Sequence, residues 1–117
     1  MATRTKAQLS KAVMEKLGLL NATDDVAAED HAMISTRYTE LMEGLEAENL
    51  AYWPEDQIPL LVFPAVTDLV GIHCASAFGI TPLNPIEIEQ AEIIVKRRIR
   101  KYTVTKSSLL DTYQADY

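Results

Sequence analysis

Apolar residues recur at helical spacing in the first part of this chain, between residues that favour helix boundaries. One helical face is formed by Leu9, Val13 and Leu17. Thr5 opens a T-x-x-Q capping box, in which the threonine hydroxyl and the glutamine side chain satisfy helix amides at the start of a helix. Gly18 suits the left-handed position that follows a helix. The pattern predicts a first helix over residues 6–17.

The second periodic stretch is long and amphipathic. Its apolar face contains Ile34, Tyr38, Leu41, Met42 and Leu45. Its polar side carries Glu40, Glu43, Glu46 and Glu48. Acidic residues also crowd its start, where the helix dipole favours negative charge: Asp24, Asp25, Glu29 and Asp30. These features predict a second helix over residues 26–48, and a following connection in which Trp53 plugs one end of the core.

The third stretch is apolar on all sides, which predicts a central, buried helix over residues 59–78. Pro59 is tolerated at a first helical position, and Pro64 either kinks the helix or marks its true start. A stripe of small residues, which a second helix can approach closely, contains Gly71, Ala75 and Gly79. Asp68 interrupts the apolar surface, so it must find a partner or face an interface, because an unpaired buried carboxylate is strongly unfavourable.

The fourth helix has the clearest start signal in the chain. Asn84 is an N-cap residue, Pro85 fits the first helical position, and Glu87 can close a capping box. A helix is predicted over residues 85–102, with Ile88, Ala91, Val95, Ile99 and Tyr102 on its buried side. Its last turns hold five cations, where the helix dipole favours positive charge: Lys96, Arg97, Arg98, Arg100 and Lys101.

Residues 103–117 are rich in hydroxyl and β-branched side chains and lack a helical apolar stripe. The sequence therefore predicts an all-α protein in which residues 1–102 form a small four-helix domain with no strand pair, and residues 103–117 form an extended C-terminal arm. Such an arm is suited to binding a neighbouring surface through apolar anchors. The candidate anchors are Leu109, Leu110, Tyr113 and Tyr117.

Composition bounds the class of protein. With 117 residues, of which 48% are hydrophobic and 24% charged, the chain matches a single soluble globular domain. The single cysteine and the polar N-terminus, without the apolar core of a signal peptide, indicate a protein made in a reducing cytoplasm. The longest apolar run contains a proline, an aspartate and a histidine, which argues against a membrane span.

The net charge of −6 is unevenly distributed. Residues 1–20 carry four basic and one acidic side chain, residues 21–92 carry one basic and fourteen acidic, and residues 93–117 carry six basic and two acidic. An acidic middle makes the body a poor nucleic-acid binder, while the basic ends suit acidic partners or the acidic middle of another copy. Plain solubility is the alternative explanation.

The sequence offers no catalytic constellation. His31 and His73 are far apart, and the chain lacks the spacings of zinc sites, phosphate-binding loops and hydrolase nucleophile elbows. His73 and Cys74 are adjacent in a helix, so their side chains point apart and are better explained by core packing. We expect no enzymatic activity, cofactor or metal.

The basic cluster of residues 96–101 leaves two explanations open. Pairing with the helix dipole is one, and contact with an acidic neighbour or with nearby DNA is the other. No aromatic residues alternate with the cations at base-stacking spacing, so sequence-specific reading of nucleic acid is not expected. A small regulatory or nucleic-acid-binding helical domain that uses this cluster is the alternative function.

The order of these elements resembles the small head-to-tail adaptor, or head-completion, proteins of tailed bacteriophages. The resemblance is carried by the first helix closing in KLGLL, the acidic start of the long second helix, the link AYWPEDQIP, the ASAFGI ending of the third helix, and NPIEIEQAEIIVKRRIRKY. It covers nearly the whole chain in order.

The resemblance implies a structural virion protein at the neck of the particle. Its copies would assemble in the host cytoplasm into a ring, expected to be a dodecamer, beneath the portal protein. The ring would extend the DNA channel, stay close to packaged DNA without gripping it, and meet tail or neck proteins below. Residues 103–117 fall where the family's portal-gripping tail begins, and this tail is short. No membrane contact is implied.

Overall fold

The computed structural model describes residues 2–80 and 84–115, with side chains described up to Tyr102. Its helices are α1 (Lys6–Lys16), α2 (Ala28–Ala47), α3 (Phe63–Cys74) and α4 (Pro85–Ala115). A 3-10 turn at Ser76–Phe78 follows α3, and two short strands, β1 (Thr3–Arg4) and β2 (Ile58–Pro59), pair antiparallel. The predicted all-α, four-helix fold is therefore confirmed.

The boundaries of α1 follow from the signals in the sequence. The Thr5 hydroxyl accepts from the Gln8 amide at 3.3 Å, and the Gln8 side chain accepts from the Thr5 amide at 2.8 Å, which completes the capping box. The Asp56 carboxylate adds a cap that sequence did not indicate, because it accepts from the Lys6 amide at 2.8 Å. Gly18 has a φ of 75°, the left-handed conformation expected after the helix.

The start of α2 differs slightly from the prediction. Its N-cap is Ala27, without a side-chain cap, because Asp24 instead forms a turn with Asn21. The helix ends where Asn49 adopts a φ of 59° and the Leu50 amide donates to the Leu45 carbonyl at 2.8 Å. This is a Schellman-type end, and asparagine is among the few residues other than glycine that tolerate it.

Pro64 marks the start of α3 and does not kink it. The prediction that this helix begins at Pro59 is wrong, because Pro59 lies in β2 opposite Thr3. The prediction that no strand pair exists is also wrong. A two-residue ladder is too short to leave a period-two pattern in sequence, so its signal was absent. The α-helix ends at Cys74, and Gly79 closes the following 3-10 turn with a φ of 76°.

The helix α3 is central, as predicted, because it packs against α1, α2 and α4. The main core cluster contains Leu9, Val13, Ile34, Tyr38, Leu45, Val66, Leu69, Val70, Val95 and Ile99. Trp53 lies buried against this cluster, as its predicted plugging role requires. At Gly71, an added Cβ would lie 3.8 Å from the Lys16 side chain, so this position faces α1. The predicted stripe does not continue along the helix, because α3 ends at Cys74, before Ala75 and Gly79.

The helix α4 continues to Ala115, beyond the predicted boundary at Tyr102. Residues 86–115 contain neither glycine nor proline, and β-branched residues lower helix propensity without stopping a helix. Side chains after Tyr102 lie outside the described residues, so the partner-binding role of residues 103–117 stays a prediction.

Candidate functional site

Asp68 joins three helices. From α3 its carboxylate contacts the Lys16 ammonium of α1 and accepts from Arg98 Nη1 of α4 at 2.6 Å. Partial burial acts to raise the pKa of Asp68, but the two cations outweigh it and hold the pKa below its ordinary value. The sequence required either a partner or an interface for this acid, and the structure supplies two partners within the chain.

In the structure, acids of the same chain neutralise some cations of the predicted basic cluster, while other cations are exposed. Lys96 Nζ lies 3.0 Å from Glu48 Oε2 at the end of α2, and Arg98 binds Asp68. Arg97 and Arg100 are exposed, and no described residue forms an ion pair with either. Lys101 is also exposed. Lys96 and Arg98 therefore attach α4 to the body, whereas Arg97 and Arg100 are exposed without a described ion pair.

The exposed cations share one side of α4 with exposed isoleucines. Ile86, Ile93 and Ile94 are 67%, 45% and 57% exposed, whereas Val95 and Ile99 on the opposite side are buried. We call this side the α4 outer face, consisting of Ile86, Ile93, Ile94, Arg97 and Arg100. Its arginines lie toward the C-terminal end, and its isoleucines lie toward the N-terminal end, where the exposed Glu89 and Gln90 separate Ile86 from Ile93. At 1.5 Å per residue it extends for about 20 Å.

Sequence reasoning did not identify the isoleucines as surface residues, although a signal existed. Val95 and Ile99 define the buried side of a helix that is exposed on its other side. Residues on one side of a helix are three or four positions apart. Ile93 and Ile94 precede Val95 by two and one positions, so neither can join Val95 on the core side. Ile88, Ala91 and Tyr102, which were predicted to be buried, are half-buried.

The exposed side of α2 is acidic, as predicted. We call it the α2 outer face, consisting of Glu29, Ala32, Thr36, Glu40 and Glu43, all of which are exposed. Glu40 forms an intrahelical pair with Arg37 at 3.2 Å, and the side chains between the acids are small. Met33 and the exposed Arg37 border this surface, which is acidic at Glu29 and Glu43 and partly neutralised at Glu40.

A polar network fixes the link after α2. The Tyr38 hydroxyl donates to the Glu55 carbonyl at 2.8 Å and accepts from the Trp53 indole at 3.2 Å. Burial raises the pKa of Tyr38 to about 12. The Glu55 carboxylate is bound by the Thr39 hydroxyl and by Lys6, and the Thr39 hydrogen bond is the main cause of its lowered pKa. These groups satisfy one another, which is typical of a structural corner.

The two histidines have separate partners, and neither is described as a partner of the cysteine. His31 Nδ1 is 2.7 Å from the Ser10 hydroxyl, and His73 contacts Glu92. Cys74 is buried, and burial raises the pKa of its thiol, so the unreactive protonated form is favoured. Within residues 2–80 and 84–115, no group of His, Cys, Asp or Glu side chains could hold a metal ion. In the same part of the chain no helix is long and apolar enough to span a membrane.

The predicted arm anchors lie outside the described side chains: Leu109, Leu110, Tyr113 and Tyr117. Their contacts with a portal or another partner stay a prediction. Comparisons with protein-family models, curated protein sequences and solved structures produced no match to this chain.

Proposed function

We propose that this chain is a structural head-to-tail adaptor of a tailed-bacteriophage virion. Its copies form a ring beneath the portal, extend the DNA channel and link head to tail. The class of function comes from the sequence resemblance. The structural observation that supports it is the α4 outer face. On this face, exposed isoleucines lie beside exposed arginines that form no ion pair with a described residue.

Such a face is suited to a partner. Scattered exposed apolar residues are ordinary on a protein surface, but Ile93 and Ile94 are adjacent and lie on the same side of α4 as the exposed Arg97 and Arg100. Interfaces commonly combine an apolar centre with arginine. This group of exposed side chains therefore supports a role in association.

Ring formation also requires rigid subunits, since each copy must hold its two contact surfaces at a fixed angle for the ring to close. Two ion pairs fix α4 in this way. Arg98 ties it to Asp68 on α3, and Lys96 ties it to Glu48 at the end of α2. The α4 outer face is thus attached to the body by charged contacts on its flanks as well as by Val95 and Ile99 below.

The distribution of charge suits a channel through which DNA must pass. An acidic body repels the phosphate backbone, so the DNA is surrounded without being bound. The portal is gripped by residues 103–117, and many weak grips on one ring act together as a strong attachment.

The test is electron microscopy of the purified chain, alone and mixed with tailless, DNA-filled heads of the phage that encodes it. We expect a ring of small subunits under the portal. A chain without residues 107–117 should form the ring but fail to occupy the heads. Full occupancy by the truncated chain would remove the gripping role of the arm, and a chain that forms no ring in either setting would contradict the adaptor function.

The alternative, a nucleic-acid-binding domain using residues 96–101, has weaker support. Lys96 and Arg98 are neutralised by acids of the same chain, and the middle of the chain is acidic, which repels a phosphate backbone. Strongly salt-dependent DNA binding by a monomer would favour this alternative over the adaptor.

A further inference from the structure

We propose that the α4 outer face of one copy docks on the α2 outer face of the next copy, and that this contact builds the ring. The inference rests on the proposed adaptor function and names its subunit interface. Its occupant is a second copy of this chain, because the chain itself carries the complementary surface.

The charges of the two faces match in sign and in spacing. Arg97 and Arg100 are three residues apart on α4, and Glu40 and Glu43 are three residues apart on α2. Residues at this spacing lie on the same side of a helix, so both arginines can meet both glutamates at once. Glu43 has no described ion-pair partner, and Glu40 has only the exposed pair with Arg37.

The apolar part of the α4 outer face selects the orientation. If the two helices run parallel with Arg97 opposite Glu40, then Arg100 falls opposite Glu43 and Ile93 falls opposite Thr36. Ala32 and Thr36 are small, and they line one shallow surface groove with Met33, Arg37 and Glu40, so Ile93 would meet a groove with larger side chains at its edges. In the antiparallel arrangement, Ile86 would fall beyond the end of α2 at Ala47 and would remain exposed. In the parallel arrangement Ile86 falls opposite Glu29, still within α2, so a helix covers the whole length of the α4 outer face.

The contact is heterologous, which is what a ring requires. Each copy offers one α4 outer face and one α2 outer face, and these are different surfaces. Both helices bury their opposite sides against α3, so the two outer faces of one copy point away from the shared core and are free to meet other copies.

The experiment reverses charge on one face and then restores complementarity. The variant R97E/R100E should associate more weakly than the wild type by a factor of about ten at least, because two attractions become repulsions. The same chain carrying E40R/E43R as well should recover association. The control R4E/K11E changes the net charge equally away from both faces and should associate like the wild type. Sedimentation velocity at low and high salt measures association, and microscopy counts rings.

A second design does not depend on the fourfold variant folding. R97E/R100E and E40R/E43R should each be monomeric alone and should associate when mixed, since the mixture again contains native arginines and native glutamates. Circular dichroism should show both variants as helical as the wild type. Arg97 and Arg100 contribute no described ion pair to the fold, and E40R/E43R removes only the exposed pair between Arg37 and Glu40.

The outcomes separate the two proposals. Rings that persist in R97E/R100E, or a mixture that stays monomeric while the wild type forms rings, would overturn this interface and leave the adaptor function standing. A wild-type chain that forms no ring, in solution or on heads, would overturn both.

Discussion

Replacing Asp68 by asparagine should weaken the joint between three helices without changing the shape of the side chain. Each charge-assisted hydrogen bond of the native carboxylate is worth about 1.5–3 kcal/mol when shielded from water. Here Asp68 is 24% exposed and its partners Lys16 and Arg98 are 47% and 44% exposed, so solvent screens both contacts. We therefore expect Asp68→Asn to lower the free energy of unfolding by about 1–2 kcal/mol at pH 7.

Urea denaturation monitored by circular dichroism is the appropriate assay, since urea adds no salt to screen the ion pairs. The pH dependence gives a second readout. Because the pKa of Asp68 is lowered in the folded chain, its contribution is present above the ordinary carboxyl pKa and is lost as the pH falls through the lowered value. The wild type and Asp68→Asn should therefore differ at pH 7 and converge in acid.

A matched control is Glu40→Gln, which removes an exposed pair within one helix. At concentrations where the chain is monomeric, it should change stability by less than about 0.5 kcal/mol. Equal stability of Asp68→Asn and the wild type at pH 7 would refute the role assigned to this joint. So would a stability difference that stayed constant from neutral pH into acid.

Three further predictions concern the monomer. Ile99→Ala should cost about 2–4 kcal/mol in urea denaturation, whereas Ile93→Ala on the exposed side of the same helix should cost less than about 0.5 kcal/mol. Ultraviolet titration should show Tyr38 ionising near pH 12, and wild-type stability should fall as the pH rises from 10.0 toward 12, a loss that Tyr38→Phe should lack. Gly18→Ala should lower the melting temperature by several degrees, since its φ of 75° costs alanine about 1 kcal/mol.

The sequence predicted those parts of the fold that depend on neighbouring residues. The capping box at Thr5, the left-handed position at Gly18 and the start signal at Asn84 are local, and the structure contains all three. The apolar face of α2 was predicted correctly for the same reason, because helical spacing alone determines which residues share a side.

Features that depend on distant parts of the chain were not predictable. One example is the ladder between Thr3 and Pro59, and another is the cap that Asp56 gives to α1. Both join residues that are at least fifty positions apart. Sequence showed that Asp68 needed a partner, but the choice of Lys16 and Arg98 follows from how α1 and α4 pack on α3. The division of the basic cluster into paired and exposed cations was hidden for the same reason.

The position of α3 in the chain has a consequence for biosynthesis. This helix is third in order, yet it packs against each of the other helices. A nascent polypeptide that has emerged only as far as Ala47 therefore lacks the layer on which α1 and α2 bury their apolar sides. A stable core can form only after translation has passed Cys74. Until then the apolar sides of α1 and α2 remain exposed, and a chaperone that shields apolar segments can bind them.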